Sequence, residues 1–339
     1  MYPARRLIML VLAGALSLTW PARGRQDGEM FQSRSITIGA IEYHYRVFSP
    51  KGWSKKKKWP VILFLHGAGE RGDDNLAQTR VGIGPAILRQ SESFPFVAVL
   101  PQCPRNRWWT EPDMQALALN ALDQAAKEFN GDRKRTYLTG LSMGGYGAWI
   151  VAANDPKRFA PLAVVCGGVV PPPRLNLPEV ARRPAPTGDP YAAVAAKIGK
   201  TPVWVFHGSA DTAVPVTESR KMVEALRAAR GNVRYNEYEG VGHNSWDRAY
   251  AEAELFPWLL SQRKKWVWKH GVQALAWSFR WIRTQAKART PCFNATFRQR
   301  WGFTPTTSSH ECSIGRSATQ WSGRNAAKRS RRSPGACSK

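Results

Sequence analysis

The chain of 339 residues, with a mass of 37.9 kDa, is long enough to bury the core of one large α/β domain or of two smaller ones. Its hydrophobic content of 43% and charged content of 22% exclude an intrinsically disordered protein. More than half of the net charge of +26 lies in residues 264–339, where Glu311 is the only acid. The charge therefore indicates a basic C-terminal extension, and no nucleic-acid partner is expected.

The N-terminus has the pattern of a signal peptide. Arg5 and Arg6 precede an apolar stretch that runs from Leu7 to about Trp20, and small residues follow it. The apolar stretch is short for a membrane span, although an N-terminal anchor helix is an alternative. We expect residues 1–24 to be a signal peptide and the protein to be exported, either to the periplasm or as a secreted protein.

The body of the chain, residues 25–263, predicts one α/β catalytic domain. Residues 34–50 alternate between apolar and polar and break at Gly39, which is typical of an antiparallel hairpin. Six short apolar runs follow: VILFLHG, FVAVLPQ, RTYLTGLS, PLAVVCGG, PVWVFHG and VRYNEYEG. Helical patterns lie between or after them at residues 112–130, 143–154, 216–230 and 247–262. Because most of these runs are continuously apolar, they indicate a mostly parallel central sheet with helices on both faces.

Two segments do not fit this pattern. Residues 167–190 are rich in proline and predict neither helix nor strand, so they form either a lid or acyl-pocket wall beside the site, or a simple surface excursion. Residues 264–339 are basic and rich in tryptophan, and residues 266–283 could form a cationic helix that contacts an anionic membrane or surface. A disordered or non-functional extension is the simpler interpretation.

One short motif indicates a nucleophile. Gly140-Leu141-Ser142-Met143-Gly144 fits the pattern G-x-S-x-G between a predicted strand and a predicted helix, which is the setting of a nucleophile elbow. Side chains two positions from such a serine would clash, and this explains the two glycines. The helix N-terminus would point at the serine oxygen, where its partial positive charge suits a developing oxyanion.

A general base and an orienting carboxylate follow in the chain order Ser…Asp…His. Asp211 comes just after the run PVWVFHG, and His243 lies in the loop after the last predicted strand. We expect both to form a triad with Ser142, although Asp211 as a turn residue and His243 as an exposed loop histidine are alternatives. His207 is expected to be structural and to pack under the loop that carries Asp211.

The nucleophile also needs an oxyanion hole, and the segment LHGAGERGDDN, residues 65–75, can supply one of its hydrogen-bond donors. Such a hole needs at least two donors. We expect them to be the backbone amides of Met143, directly after the nucleophile, and of Ala68, with Gly69 as the alternative to Ala68.

Three side chains of the same segment are expected to have other roles. His66 is expected to brace the loop by hydrogen bonding. Glu70 and Arg71 could reach a substrate, but an ion pair between them that holds the loop is the simpler interpretation.

The five cysteines show no spacing that suggests a metal site or a disulfide scaffold. Cys103 and Cys166 each follow a predicted strand, and in an oxidising compartment they could pair. The sequence leaves open whether these two cysteines form a disulfide or remain as two buried thiols.

Together these motifs resemble a known group of enzymes. LHGAGERGDDN, PQCP…RWW, LTGLSMGGYGAW, CGG, PVWVFHGSADTAVPV and GVGHNSWDRAY are similar to secreted or periplasmic carboxylesterases often described as predicted peptidases. That group is related to feruloyl and polyhydroxybutyrate-depolymerase-type esterases and to dienelactone-hydrolase-like and prolyl-oligopeptidase-like catalytic domains. The resemblance covers about residues 33–263, and it implies an α/β-hydrolase fold with the triad described above.

The resemblance also implies that Trp108, Trp109 and Trp246 line the acyl or aromatic part of the pocket, although they could be ordinary core tryptophans. We expect a serine carboxylic ester hydrolase that forms an acyl-enzyme on small acyl or aryl esters, free or linked to polysaccharide, without a cofactor or metal. The alternatives are a serine peptidase on short peptides and a membrane- or surface-binding protein that acts through the basic extension.

Overall fold

The computed structural model describes residues 30–171 and 188–264. The predicted signal peptide, most of the Pro-rich segment and the basic extension from residue 265 lie outside the described residues. The strands within these ranges are β1 (Phe31–Ile38), β2 (Ile41–Phe48), β3 (Trp59–Leu65), β4 (Val97–Pro101), β5 (Gly131–Leu141), β6 (Leu162–Val165), β7 (Val203–Gly208) and β8 (Val233–Tyr238). The α-helices are α1 (Ile83–Arg89), α2 (Pro112–Glu128), α3 (Met143–Asn154), α4 (Pro190–Ile198), α5 (Thr217–Ala228), α6 (Trp246–Ala249) and α7 (Leu255–Ser261).

The eight strands form a sheet in the order β1-β2-β4-β3-β5-β6-β7-β8. The N-terminal hairpin is confirmed: β1 and β2 pair antiparallel, and Ile38 faces Ile41 across a turn in which Gly39 has a φ of 65°. A φ in this range suits glycine because it has no Cβ. From β4 to β8 every neighbouring pair is parallel, so the predicted mostly parallel sheet is confirmed as well.

The sheet is covered on both faces because its central strands are apolar at every position. All seven residues of β3 are buried, and successive side chains point to opposite faces. Val61, Leu63 and Leu65 pack into the core formed with α2, α3, α4 and α5. Ile62 and Phe64 pack into the second core, formed with α1 and α7.

The helices differ from the sequence-based expectation at three places in the chain. The helix predicted at residues 247–262 is divided into α6 and α7. Pro257 lies in the first turn of α7, where a missing amide hydrogen costs nothing, so a helix has to begin shortly before it. The sequence predicts neither the short helix α1 nor α4, which begins at Pro190, the last residue of the segment expected to be irregular.

Helix α4 begins where it does because of two local signals. The side chain of Asp189 accepts a hydrogen bond from the amide of Tyr191 at 2.9 Å, and Pro190 occupies the first helical position. Both residues favour a helix start, although the same residues in a Pro-rich stretch also suggest a loop. None of the helices in the described residues is long and apolar enough to span a lipid bilayer.

Candidate active site

Ser142 lies on a sharp turn between β5 and α3. Its φ of 52° and ψ of −119° are unfavourable for a residue with a side chain, and such strain is typical of a nucleophile elbow. A Cβ at Gly140 would lie 2.3 Å from the carbonyl oxygen of Gly144, and one at Gly144 would lie 1.9 Å from that of Leu65. The two glycines therefore allow the start of α3 to pack against both β5 and β3.

The structure brings Ser142, Asp211 and His243 together. The Oγ of Ser142 lies 2.9 Å from Nε2 of His243, and Nδ1 of His243 lies 2.7 Å from Oδ2 of Asp211. Because a carboxylate can only accept, Nδ1 carries the proton and donates to Asp211, which leaves Nε2 to accept the hydroxyl proton of Ser142. The carboxylate is fully buried, whereas the imidazole is 27% exposed and accessible to a ligand.

The carboxylate of Asp211 has four hydrogen-bond donors. Oδ1 accepts from the amides of Ala213 and Val214 at 2.8 Å each, and Oδ2 accepts from His243 and from Nε2 of His207 at 3.2 Å. Burial by itself would raise the pKa of Asp211, but the hydrogen bonds from the two histidines and from the Val214 amide hold that pKa well below its usual value. Asp211 therefore stays ionised and can stabilise a charged imidazole.

His207 is buried, as expected, but it also contacts the site. Its Nε2 lies 3.0 Å from the carbonyl oxygen of Val214 as well as 3.2 Å from Asp211, so Nε2 carries the proton. Its Nδ1 lies 2.7 Å from Oγ of Ser219, which donates to it. Sequence reasoning missed Ser219, a buried residue in the first turn of α5, because nothing in the local pattern shows that it faces β7.

The two backbone amides proposed for the oxyanion hole both lie at the start of a helix. Met143 is the first residue of α3, and Ala68 is the first residue of a short 3₁₀ helix at Ala68–Glu70, so neither amide has an acceptor within its helix. The two segments approach closely, since a Cβ at Gly67 would lie 3.7 Å from the Cβ of Ser142.

The side chain of His66 holds the loop that carries Ala68 by two hydrogen bonds. Nε2 of His66 accepts from the amide of Cys103 at 3.0 Å, so Nδ1 carries the proton and donates to the carbonyl of Gly67 at 2.6 Å. Burial lowers the pKa of His66 to about 4, which keeps it neutral. The bracing role expected for His66 is confirmed by these contacts.

The ion pair expected between Glu70 and Arg71 is wrong. No such contact exists among the ion pairs of the described residues; instead, Nε of Arg71 donates to the carbonyl of Ala68 at 3.0 Å. Oε2 of Glu70 is buried and has no hydrogen-bond partner among the described residues, and burial raises the pKa of this carboxyl group.

The three tryptophans have different surroundings. Trp109 is fully buried, and its Nε1 donates to the carbonyl of His66 at 3.0 Å, which favours the core alternative for this residue. Trp108 is partly exposed, and the guanidinium of Arg71 lies 5.2 Å from its ring centroid. Trp246 is also partly exposed and packs edge-on against His243 with ring centroids 5.3 Å apart.

Cys103 and Cys166 are both buried free thiols, which answers the question of their pairing. Among the described residues, Cys166, Asp211 and His243 bring possible metal-ligand atoms within 4.8 Å of one another. Asp211 and His243 already hydrogen-bond each other, and burial raises the pKa of Cys166 to about 12, so the thiolate that a metal requires is disfavoured.

Glu218 is another residue that sequence reasoning did not select. One carboxylate oxygen accepts from the amides of Val169 and Val170 at 3.0 and 3.2 Å, and the other accepts from the hydroxyl of Tyr191 at 2.6 Å. Glu218 therefore holds the start of the Pro-rich segment against α4 and α5.

Comparisons with known proteins identify the family of this chain. A family model described as "Putative esterase" matches residues 40–254, which is more than half of the chain. The chain belongs to this esterase family. The match includes Ser142, Asp211, His243 and the loop around Ala68.

Two relatives match part of this chain in sequence. The chain is 30% identical over 167 residues to a protein of Yersinia pestis named "Putative carboxymethylenebutenolidase", a match that covers 48% of this chain and 58% of that protein. It is 34% identical over 132 residues to a bifunctional acetylxylan esterase/xylanase of Neocallimastix patriciarum, which covers 38% of this chain and 18% of that protein. The chain thus spans only part of the length of these relatives.

A solved structure gives a similar result over more of the chain. A thermostable esterase superposes with a TM-score of 0.59 at 32% identity, covering 69% of this chain and 64% of that one. With the parallel sheet described above, this likeness shows the α/β-hydrolase fold.

Proposed function

We propose that this protein is a serine carboxylic ester hydrolase that acts through Ser142, His243 and Asp211. The observation that carries the proposal is the continuous hydrogen-bond chain from Oγ of Ser142 to Nε2 of His243 and from Nδ1 to Asp211, with distances of 2.9 and 2.7 Å. A serine hydroxyl is a weak nucleophile near neutral pH, and a base held in this tautomer is what activates it. The esterase family supports the same reaction class.

The reaction begins when Ser142 attacks the carbonyl carbon of the ester. His243 takes the hydroxyl proton on Nε2 as the new C–O bond forms, and the carbonyl electrons move onto the oxygen. The amides of Met143 and Ala68 donate to this oxyanion, and Asp211 stabilises the imidazolium without taking its proton. The tetrahedral intermediate then collapses, the C–O bond to the alcohol breaks, and His243 protonates the leaving oxygen.

The second half of the reaction releases the acid. Water enters on the side vacated by the alcohol, gives a proton to His243 and attacks the acyl carbon. Collapse of the second tetrahedral intermediate breaks the bond to Ser142, which regains its proton from His243.

We propose small acyl or aryl esters, including esters on polysaccharides, as the substrate class. The acetylxylan esterase activity in the name of one relative supports the polysaccharide form. A serine peptidase acting on short peptides is the alternative, but an amide has a poorer leaving group, and no observation in the described residues favours it.

Export by the N-terminal leader and contact with an anionic membrane through residues 264–339 are further proposals. Both depend on segments outside the described residues. Liposome binding by the full chain, compared with a chain that ends at Arg263, tests the second one.

The esterase proposal is tested with the full chain on p-nitrophenyl acetate, butyrate and octanoate. We expect turnover that Ser142→Ala abolishes, because the nucleophile is removed while the fold is kept. Unchanged turnover in Ser142→Ala would contradict the mechanism. A folded wild type that cleaves short peptide anilides but none of the three esters would support the peptidase instead.

A further inference from the structure

Arg71 is a cation beside the proposed oxyanion hole whose charge no carboxylate in the described ranges neutralises. Its Nε donates to the carbonyl of Ala68 at 3.0 Å, and its guanidinium lies over the ring of Trp108. Within residues 30–171 and 188–264, its terminal nitrogens Nη1 and Nη2 have no carboxylate at ion-pair distance. Because the side chain is only partly buried, these two donors remain available to a ligand.

Among the described residues, the charged residues that neighbour Arg71 in the sequence and those beside Trp108 do not form ion pairs with it. Arg107, one residue before Trp108, pairs with Glu111 at 2.6 Å and with Asp113 at 2.5 Å, so its charge is balanced. The carboxylate of Glu70, the closest acid in the sequence, forms no ion pair with Arg71, and its Oε2 is buried without a hydrogen-bond partner among the described residues. The positive charge of Arg71 is therefore not paired with a carboxylate of the described residues at this edge of the sheet.

The position of Arg71 in the fold indicates which part of a substrate it would meet. Arg71 follows β3 and Trp108 follows β4, whereas Asp211 and His243 follow β7 and β8 on the other side of β5. His243 has to protonate the leaving oxygen, so the alcohol part lies on its side of the site. The acyl part then extends to the opposite side, where Arg71 and Trp108 lie.

We propose that Arg71 and Trp108 form an acyl-binding subsite for a carboxylate, and that the preferred substrates are half-esters of short dicarboxylic acids. This inference rests on the esterase function proposed above. The planar guanidinium can donate two parallel hydrogen bonds to a carboxylate, and the ring of Trp108 holds the guanidinium plane and offers an apolar surface to the methylene chain. The carbonyl that accepts from Arg71 and the amide proposed for the oxyanion hole belong to the same residue, Ala68, so a chain of about three methylenes spans the distance from the oxyanion to the guanidinium.

The test compares two esters that differ only at the far end of the acyl chain. Monomethyl glutarate carries a carboxylate there, and methyl glutaramate carries a neutral amide of nearly the same shape; methanol release reports turnover of both by the full chain. For the wild type we expect kcat/KM to be at least about tenfold higher for the carboxylate, because a charge-assisted hydrogen bond contributes that much. We also expect added salt to reduce this ratio, because the guanidinium is partly exposed.

Variants then assign the preference to Arg71. Arg71→Gln is expected to bring the ratio close to one, and Arg71→Lys to retain part of it, because lysine keeps the charge but not the two-pronged geometry. Arg105→Gln is the matched control, since Arg105 is an exposed arginine in the loop just before Trp108. It removes the same charge and is expected to keep the wild-type ratio.

Three results overturn the inference. The first is a wild-type ratio of one or less, and the second is an equal fall for both esters in Arg71→Gln, which would assign Arg71 to bracing the loop of Ala68. The third is a wild type that hydrolyses p-nitrophenyl acetate but neither methyl ester, which leaves the esterase proposal intact. If p-nitrophenyl acetate is not hydrolysed either, the esterase proposal itself fails, and the subsite fails with it.

Discussion

Replacing Gly144 by alanine should separate the two halves of the oxyanion hole. The added Cβ would lie 1.9 Å from the carbonyl oxygen of Leu65, 2.4 Å from the carbonyl carbon of Leu65 and 2.7 Å from the carbonyl oxygen of His66. All three are backbone atoms that cannot rotate away. Ordinary contact begins at 3.4 Å, so the start of α3 has to move away from the end of β3 by about 1.5 Å.

The movement has a direct consequence for catalysis. Ser142 and Met143 lie at the start of α3, whereas Ala68 follows β3, so the displacement moves one oxyanion donor and the nucleophile away from the other donor. A displacement of about 1 Å costs roughly 10²-fold, and the loss of one oxyanion donor costs about 10²- to 10³-fold in kcat. We therefore expect kcat to fall by about 10²-fold or more, with a loss of about 1–3 kcal/mol in unfolding free energy from overpacking.

The assay is kcat on p-nitrophenyl acetate, measured well below the thermal unfolding midpoint of each variant. Gly242→Ala is the matched control, because its Cβ would meet no atom within 4 Å although it lies next to His243. It should keep kcat within a few-fold of the wild type. If Gly144→Ala unfolds cooperatively and still turns over at the wild-type rate, the argument that this glycine sets the geometry of the hole is refuted.

Three further predictions concern residues in and around the same site. Asp211→Asn should lower kcat by about 10³- to 10⁴-fold, because an amide cannot hold the required tautomer of His243, and should also lower the unfolding midpoint, because an amide cannot accept all four hydrogen bonds of the buried carboxylate; a loss of kcat below tenfold would exclude Asp211 from the triad. His207→Phe should lower kcat more modestly, and Ser219→Ala less still, because each removes a support of Asp211 and no reacting group; loss equal to that of Asp211→Asn would contradict this order. The unfolding free energy of the wild type, measured by urea titration, should fall by about 2 kcal/mol between about pH 7 and about pH 5, because His66 is neutral in the fold and becomes protonated in the unfolded chain. The variant His66→Gln should not show this decrease.

The sign of the His66 effect follows from its burial. The folded pKa of about 4 lies below the value of 6.5 expected in the unfolded chain, so the unfolded state binds more protons between these two values. The stability that neutral His66 contributes is therefore present above about pH 6.5 and is lost as the pH falls towards 4. A pH dependence that is the same in wild type and His66→Gln would contradict the assignment.

The sheet and the proximity of Ser142, Asp211 and His243 could be predicted from the sequence because each depends on short-range patterns. Continuous apolar runs such as β3 mark strands that are covered on both faces, and the elbow of Ser142 needs glycines at fixed positions. Asp211 and His243 could be placed because residues after parallel strands gather at one edge of the sheet.

The contacts that could not be predicted depend on distant parts of the chain. Ser219 reaches His207 only because α5 packs against β7, and Glu218 meets Val169 and Tyr191 for the same kind of reason. The sequence places Glu70 beside Arg71, which suggests an ion pair, but in the fold Arg71 donates to the carbonyl of Ala68 and Oε2 of Glu70 is buried without a partner among the described residues.

Covalent capture of Ser142 tests the central claim most directly. The full chain is incubated with diethyl p-nitrophenyl phosphate, which transfers a diethylphosphoryl group to an activated serine and releases p-nitrophenol, and intact-protein mass and peptide mapping then locate the group. The account predicts one diethylphosphoryl group per chain, on the peptide that contains Ser142, with loss of esterase activity in the same proportion and no labelling of Ser142→Ala. Labelling of another residue, or stoichiometric labelling of Ser142→Ala, would contradict it.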